Sequence, residues 1–458
     1  MNVYNFNFKV VHSTKSTLYG YNVSEVWRRE EVQRVNLQTI YPDYKWPKLA
    51  QSLYRDHEDL INKPVAIQDM KWSHDGTSII TISNDTGIRQ YLIPEENTDD
   101  SIGNENRSDL SLLTPFTRGF KNKSIVCSEI HPLNSMYDKD YNFVLLSSRD
   151  MPIQMYDLNI QDEEEEYENI SLLSKRHSNV RYSYNIVNPM NEKFESPFSI
   201  KIYPHQYDRF YTGGLNNIIK IYDFNRSLPI CEYSVSRRNS NRSIISCFEE
   251  RSNNYMIDNK VVLWASYKNE FGRLDTRCAK GYSKNIYEAK YRLPQNLGNG
   301  IYQMIRSDNG HYLYIFLRKS DKIQIFDMRN MESKSINELK LPFKIGYQKI
   351  LASMVEGQGL MLGSSQNILL VWDKALVESG GITNREQVKD NYGFHAISID
   401  NLHSSTNGAR INIITQNPNW INSDNGCIAI SSSFDRNCTI DATATTKLQS
   451  SLYVLGLN

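Results

Sequence analysis

The chain has 458 residues, with 52 Lys and Arg against 52 Asp and Glu, so its formal net charge at pH 7 is zero. That balance excludes a global field drawing the protein to nucleic acid or an anionic membrane; any such contact must be a local patch. Nowhere does an apolar run approach the roughly 18 residues that a membrane span requires.

In chain order, residues 1–60 read as an N-terminal arm. Met1 to Val10 alternates polar and apolar residues without a continuous apolar core, unlike a signal peptide. Either Phe6 to Val11 or Thr17 to Val23 is expected to supply one strand to the far end of the fold. The first clear repeat runs from Val65 to Leu92, as three strands joined by the turns Ser73-His74-Asp75-Gly76 and Asn84-Asp85-Thr86-Gly87, whose side chains favour tight reversals.

Further copies follow, ending at Asp157, Asp223, Asp275, Asp327 and Asp373, with the stretch Ser147 to Asp157 the strongest of the set, and a seventh unit is read from Gly393–Ile399, Arg410–Thr415 and Cys427–Ser431. The repeat ends lie farther apart than the about 40 to 45 residues of a WD40 unit, so insertions are expected. They are placed near 95–115, 160–195 and 376–390. The second contains the acidic run Asp162 to Glu168, read as a solvated loop. The expected fold is an all-β, WD40-type β-propeller of seven blades over residues 61–445, with 446–458 as a C-terminal tail. Radial packing covers both faces of short apolar strands, and a strand borrowed from the other end of the chain closes the last edge. The aromatic before each terminal Asp should pack between blades, and the Asp should hydrogen-bond to a turn.

No catalytic or phosphate-binding motif is complete in the chain. Neither glycine pair, Gly213-Gly214 or Gly380-Gly381, opens a phosphate-binding loop; His57-Glu58 lacks the second His of HExxH; Gly363 to Asn367 misses the last Gly of a GxSxG elbow. The six cysteines show no metal-ligand spacing and read as reduced thiols of an intracellular protein. His131, His205 and His311 read as turn residues. The expectation is a protein that is not an enzyme, with no metal, no cofactor, no membrane contact and no small-molecule substrate.

What remains is local basic and aromatic character. Arg176, Arg181 and Tyr182, and then Arg237, Arg238 and Arg242, are placed in long connections between blades. There arginines could hold phosphates and an aromatic could stack on an unpaired base. Arg149 and the pair Arg318-Lys319 occupy equivalent turns and should gather on one rim of the ring. The competing reading is a solvated loop for the first two clusters and an ion pair with a neighbouring Asp for the rim.

Gln68 to Gly76, Ser147-Ser148-Arg149-Asp150-Met151-Pro152-Ile153-Gln154-Met155-Tyr156-Asp157, Ser243 to Cys247 and Arg318 to Asp327 resemble the telomerase Cajal-body WD40 family, most specifically in the Arg-Asp-x-Pro-Ile turn. The similarity covers about residues 65 to 375 and is nearer to the yeast-type branch. That resemblance implies a nuclear, non-enzymatic factor assisting spliceosomal small nuclear ribonucleoproteins in pre-mRNA splicing, with those particles, their proteins or small nuclear RNA as partners. Two alternatives stand beside it. One is a scaffold for small Cajal-body or telomerase RNA; the other is a cytosolic adaptor such as a ubiquitin-ligase substrate receptor.

Overall fold

A computed structural model describes residues 8–14, 66–84, 86–93, 113, 115–121, 123–159, 180–187, 192–204, 206–235, 243–250, 261–277, 287–331, 334–364, 368–382, 393–399, 409–419, 426–434 and 451–457. Blade 1 comprises β2 (Ile67–Trp72), β3 (Ser78–Ser83), β4 (Gly87–Leu92) and β5 (Pro115–Phe120). Blade 2 is β6 (Ile125–Ile130), β7 (Phe143–Ser148), β8 (Ile153–Asp157) and β9 (Val180–Tyr184), and blade 3 is β10 (Ser199–Lys201), β11 (Arg209–Gly213), β12 (Ile218–Asp223) and β13 (Cys231–Ser234). Blade 4 contains β14 (Ile245–Glu250), β15 (Val261–Ser266), β16 (Glu270–Asp275) and β17 (Tyr287–Arg292), and blade 5 β18 (Ile301–Arg306), β19 (Tyr312–Leu317), β20 (Lys322–Asp327) and β21 (Asn337–Lys340). In blade 6, β22 (Ser353–Val355), β23 (Gly359–Gly363) and β24 (Ile368–Asp373) lead through a helix, α1 (Lys374–Glu378), to β25 (His395–Ser398).

Blade 7 is built from both ends of the described chain. Its order is β26 (Ala409–Gln416), β27 (Cys427–Phe434), β28 (Ser451–Leu457) and then β1 (Phe8–Ser13), with Phe8 opposite Leu457. The described residues therefore form a β-propeller of seven four-stranded blades. Blades 4 and 5 are further joined by parallel pairing of β14 with β18 at Glu249–Met304 and Glu250–Ile305.

Three expectations are corrected. Residues 451–457 are the third strand of blade 7 rather than a tail, because Leu452 to Leu455 are buried on both faces of the strand. His395–Ser398 is the outer strand of blade 6, not the first of a seventh unit. Val180–Tyr184, read as part of an insertion, is the outer strand of blade 2; its mostly exposed side chains gave it no apolar signature. Thr17 to Val23 lies outside the described residues.

Seven apolar clusters among the described residues map onto the seven seams between consecutive blades. At the seam of blades 3 and 4, for example, Tyr211, Ile219 and Ile221 meet Ile245, Val262 and Trp264. Second strands face a neighbour on each side, which is why every residue of β3, β7 and β19 is buried. Close approach demands small residues there. A Cβ on Gly363, at the end of β23, would lie 2.6 Å from Ile411 Cγ2 of the next blade.

Polar staples link neighbouring blades. Ser128 Oγ donates to Asp69 (2.6 Å), Ser147 Oγ to the Pro197 carbonyl (2.8 Å) and Ser199 Oγ to the Ile245 carbonyl (3.3 Å). Ser246 Oγ reaches the Ile301 carbonyl, and Gln303 both donates to the Ala352 carbonyl (2.8 Å) and accepts from its N–H (3.0 Å). The Leu351 N–H donates to the Asn412 carbonyl and Asn412 Nδ2 to that of Ile67, both at 2.8 Å, which closes the ring. Buried polar atoms need such partners.

The repeat-ending aspartates are architectural. Asp157, Asp223, Asp275 and Asp327 each accept a hydrogen bond from the backbone N–H two residues on, at 2.8–2.9 Å. Asp373 instead stands 3.1 Å from His395 Nε2. The preceding Tyr156, Tyr222, Phe326 and Trp372 are buried between blades.

Candidate partner-binding rim and central funnel

The inner strands surround a funnel of about 1160 Å³ along the ring axis. Deep in its wall Lys71 of β2, Glu129 of β6 and Lys201 of β10 form a charge bridge across three blades. Glu129 accepts from Lys201 Nζ at 2.9 Å and from Lys71 on its other oxygen. Burial works to raise the Glu129 pKa, but Lys201 and Lys71 together hold it below the usual carboxylate value. Glu250 of β14 has no such bridge among the described residues. Desolvation at the funnel wall keeps its pKa above the usual range, with Gln303 Nε2 donating to it at 3.2 Å.

The funnel's mouth is made by the turns between second and third strands and by the links leading into inner strands. Asp150, Asn269 and Lys319 occupy these turns with φ of 54°, 60° and 56°, a left-handed conformation that reverses the chain tightly. Arg149 is exposed at the lip. Its turn is tied to the start of blade 3, where Ser196 Oγ accepts from the Asp150 N–H and donates to the Ser148 carbonyl, both at 3.1 Å.

Arg318 is only 9% exposed, and its guanidinium carbon lies 4.7 Å from the Tyr267 ring centre and 5.5 Å from that of Tyr302. Nη2 reaches the Tyr267 hydroxyl at 3.4 Å, whereas the buried Nη1 has no hydrogen-bond partner among the described residues. Lys319 Nζ sits 4.3 Å from the ring of Tyr347, itself 64% exposed. From blade 6, Lys349 projects into the funnel, where its charge acts on Cys127 of blade 2 and Cys247 of blade 4. Burial nevertheless pushes both thiols up to about 12.

The sequence placed Arg149, Arg318 and Lys319 on one rim, and the fold brings all three there. Among the described residues none is in an ion pair, nor is Lys349; aromatic faces hold Arg318 and Lys319 in place of an aspartate. Arg181 and Tyr182 are corrected. They lie on strand β9, with Arg181 at the opposite end of blade 2, committed to the Lys139 and Asp140 carbonyls (2.7 and 2.8 Å) and to Asp157 (3.2 Å). Tyr182 packs on Tyr184 at 4.9 Å between ring centres. Arg176, Arg237, Arg238 and Arg242 fall outside the described residues.

Tyr267, Tyr302, Tyr347 and Lys349 were missed by sequence reasoning. Only Tyr267 carried a usable signal, since Ser266-Tyr267-Lys268 occupies the same turn in blade 4 as Arg149 and Arg318 do in theirs. Among the described residues no group of three His, Cys, Asp or Glu side chains is placed to hold a metal, and no helix is long and apolar enough to cross a membrane.

No family model matches the chain. It is 36% identical over 434 residues to Protein SWT21 of Kluyveromyces lactis, covering 93% of this chain and 95% of that protein. The chain belongs to the SWT21 family. Protein SWT21 of Vanderwaltozyma polyspora is 34% identical over 95% of both chains, and that of Saccharomyces cerevisiae 33% identical over 72% of this chain and 86% of its own. The first two alignments cover 93% and 95% of this chain, so the similarity to those SWT21 proteins extends over far more than one repeat.

Proposed function

We propose that this SWT21-family propeller is a non-enzymatic nuclear factor that assists small nuclear ribonucleoproteins in pre-mRNA splicing, within the yeast-type branch of the telomerase Cajal-body WD40 family. A fold alone does not specify function. One observation carries the reading: Arg149, Arg318, Lys319 and Lys349 gather at one funnel mouth among aromatic rings and outside any ion pair of the described residues. A cationic, aromatic lip on a chain of zero net charge suits a local contact with an anionic partner, here a ribonucleoprotein. The titratable groups deeper in the funnel, Lys71, Glu129 and Lys201, are committed to one another, which favours a docking role over catalysis.

Tagged protein recovered from nuclear extract, compared with an unrelated seven-bladed propeller, should enrich spliceosomal small nuclear RNA and splicing proteins. Equal recovery by the two propellers overturns the proposal.

A further inference from the structure

Arg318 poses a physical problem. A guanidinium that is nine-tenths buried, clamped by two tyrosines and lacking an acceptor at Nη1, has lost water without gaining a full replacement. The two rings fix its plane at the wall of an open cavity, and Lys349 adds a second cation to the lining of the same cavity. Two cations on one wall, the guanidinium held by rings and not by a carboxylate, make a seat for an anionic group.

The surroundings discriminate between anions. Around the lip stand three exposed apolar side chains, Phe194 and Leu215 at 39% and Tyr347 at 64%; Leu215 offers a base no ring to stack on. Below the lip the wall presents the carboxylates Asp69, Glu129 and Glu250 and the amides of Gln303 and Asn412. With Lys71 and Lys201 answering those carboxylates, the wall has no run of cations for a continuing phosphodiester to follow, whereas a peptide can use its mixed donors and acceptors together. Resting on the reading of this rim as the partner face, we propose that the funnel mouth receives an acidic peptide segment of a protein partner. One Asp or Glu carboxylate of that segment sits between Arg318 and Lys349, and its flanking apolar side chains lie on Phe194, Leu215 and Tyr347.

The test is selection of a random peptide library on the purified full-length protein, followed by fluorescence anisotropy of the selected peptides with each variant. The expected peptides are enriched in Asp and Glu next to aromatic or aliphatic residues. Arg318→Gln and Lys349→Gln should each weaken them by roughly tenfold or more, and Tyr347→Ala by about threefold or more. Arg318→Lys keeps the charge without the fork and should recover only part of the loss. Because Lys349 and Tyr347 are not fully buried, their variants keep the test decisive where Arg318→Gln fails to fold.

Peptides without acidic enrichment, or affinities unchanged in the Lys349 and Tyr347 variants, overturn the proposal. So does an octamer of uridylate that displaces the peptides and itself depends on Arg318, which would make the seat one for RNA. Should wild-type protein enrich no small nuclear RNA while the acidic peptides still bind through Arg318, the splicing reading falls and the peptide seat stands. If the RNA is enriched and the peptides ignore Arg318, only the seat falls.

Discussion

Replacing Glu129 with Gln removes the one carboxylate that bridges two lysines on the funnel wall. Gln preserves shape and an acceptor for one lysine, but leaves Lys71 with Asp69 at 3.8 Å and Lys201 without its 2.9 Å partner. Breaking one side of a buried pair costs about 3–5 kcal/mol. Asp69 and access to the funnel place this case at the lower end, near about 3 kcal/mol. For 458 residues at about 2.1 cal/mol/K each, the unfolding entropy is about 1 kcal/mol/K, so Tm should fall by about 3 °C. Thermal unfolding by circular dichroism at pH 7 reads this directly.

A second arm uses the sign of the pKa shift. Because Glu129 is held below its usual value of 4.5, its contribution is present above that pH and is lost as pH falls through the folded-state pKa. The gap between wild type and Glu129→Gln should therefore narrow as the pH falls below 4.5 and through the depressed folded-state pKa. A variant melting within about half a degree of wild type at pH 7, or a gap that persists unchanged into acid, would refute the reasoning.

Other expectations follow from the same structure. Deleting Phe8–Ser13 strips the outer strand from blade 7 and exposes the edge of β28; the shortened protein should melt earlier and scatter light on standing, and unchanged melting and monodispersity would count against strand closure. Gly363→Ala drives a Cβ against Ile411 and should cost about 1–3 kcal/mol in urea unfolding. Gly214→Ala, whose Cβ would lie 3.7 Å from its nearest neighbour, should stay within about 0.5 kcal/mol of wild type. At pH 8, iodoacetamide should modify Cys247 about a thousandfold more slowly than a free cysteine, since burial lifts its thiol to about 12; rapid labelling by mass spectrometry would contradict that burial.

Much of the fold was legible because the repeat is written in short-range chemistry. Asp-Gly and Asn-rich turns, apolar strands and a terminal Asp that caps its own turn are local features, so blades 1 to 6 could be seen one at a time. Val180–Tyr184 was hidden because an outer strand is half-solvated and carries little apolar pattern. Leu452 to Leu455 looked like a tail because its partners, Phe8 to Ser13 and Cys427 to Ser432, include the opposite end of the chain. The candidate site was readable only in its turns. Arg149 and Arg318 share a register in the repeat, and a register implies a rim.

The sequence by itself determined the architecture and which turn residues would share a face, since both follow from periodicity and turn chemistry. Tertiary structure alone decided what those residues meet. Arg318 lies between Tyr267 of one blade and Tyr302 of the next, and Lys349 faces cysteines of blades 2 and 4, more than a hundred positions away, because the ring gathers separate blades around one funnel. No local pattern encodes such a meeting.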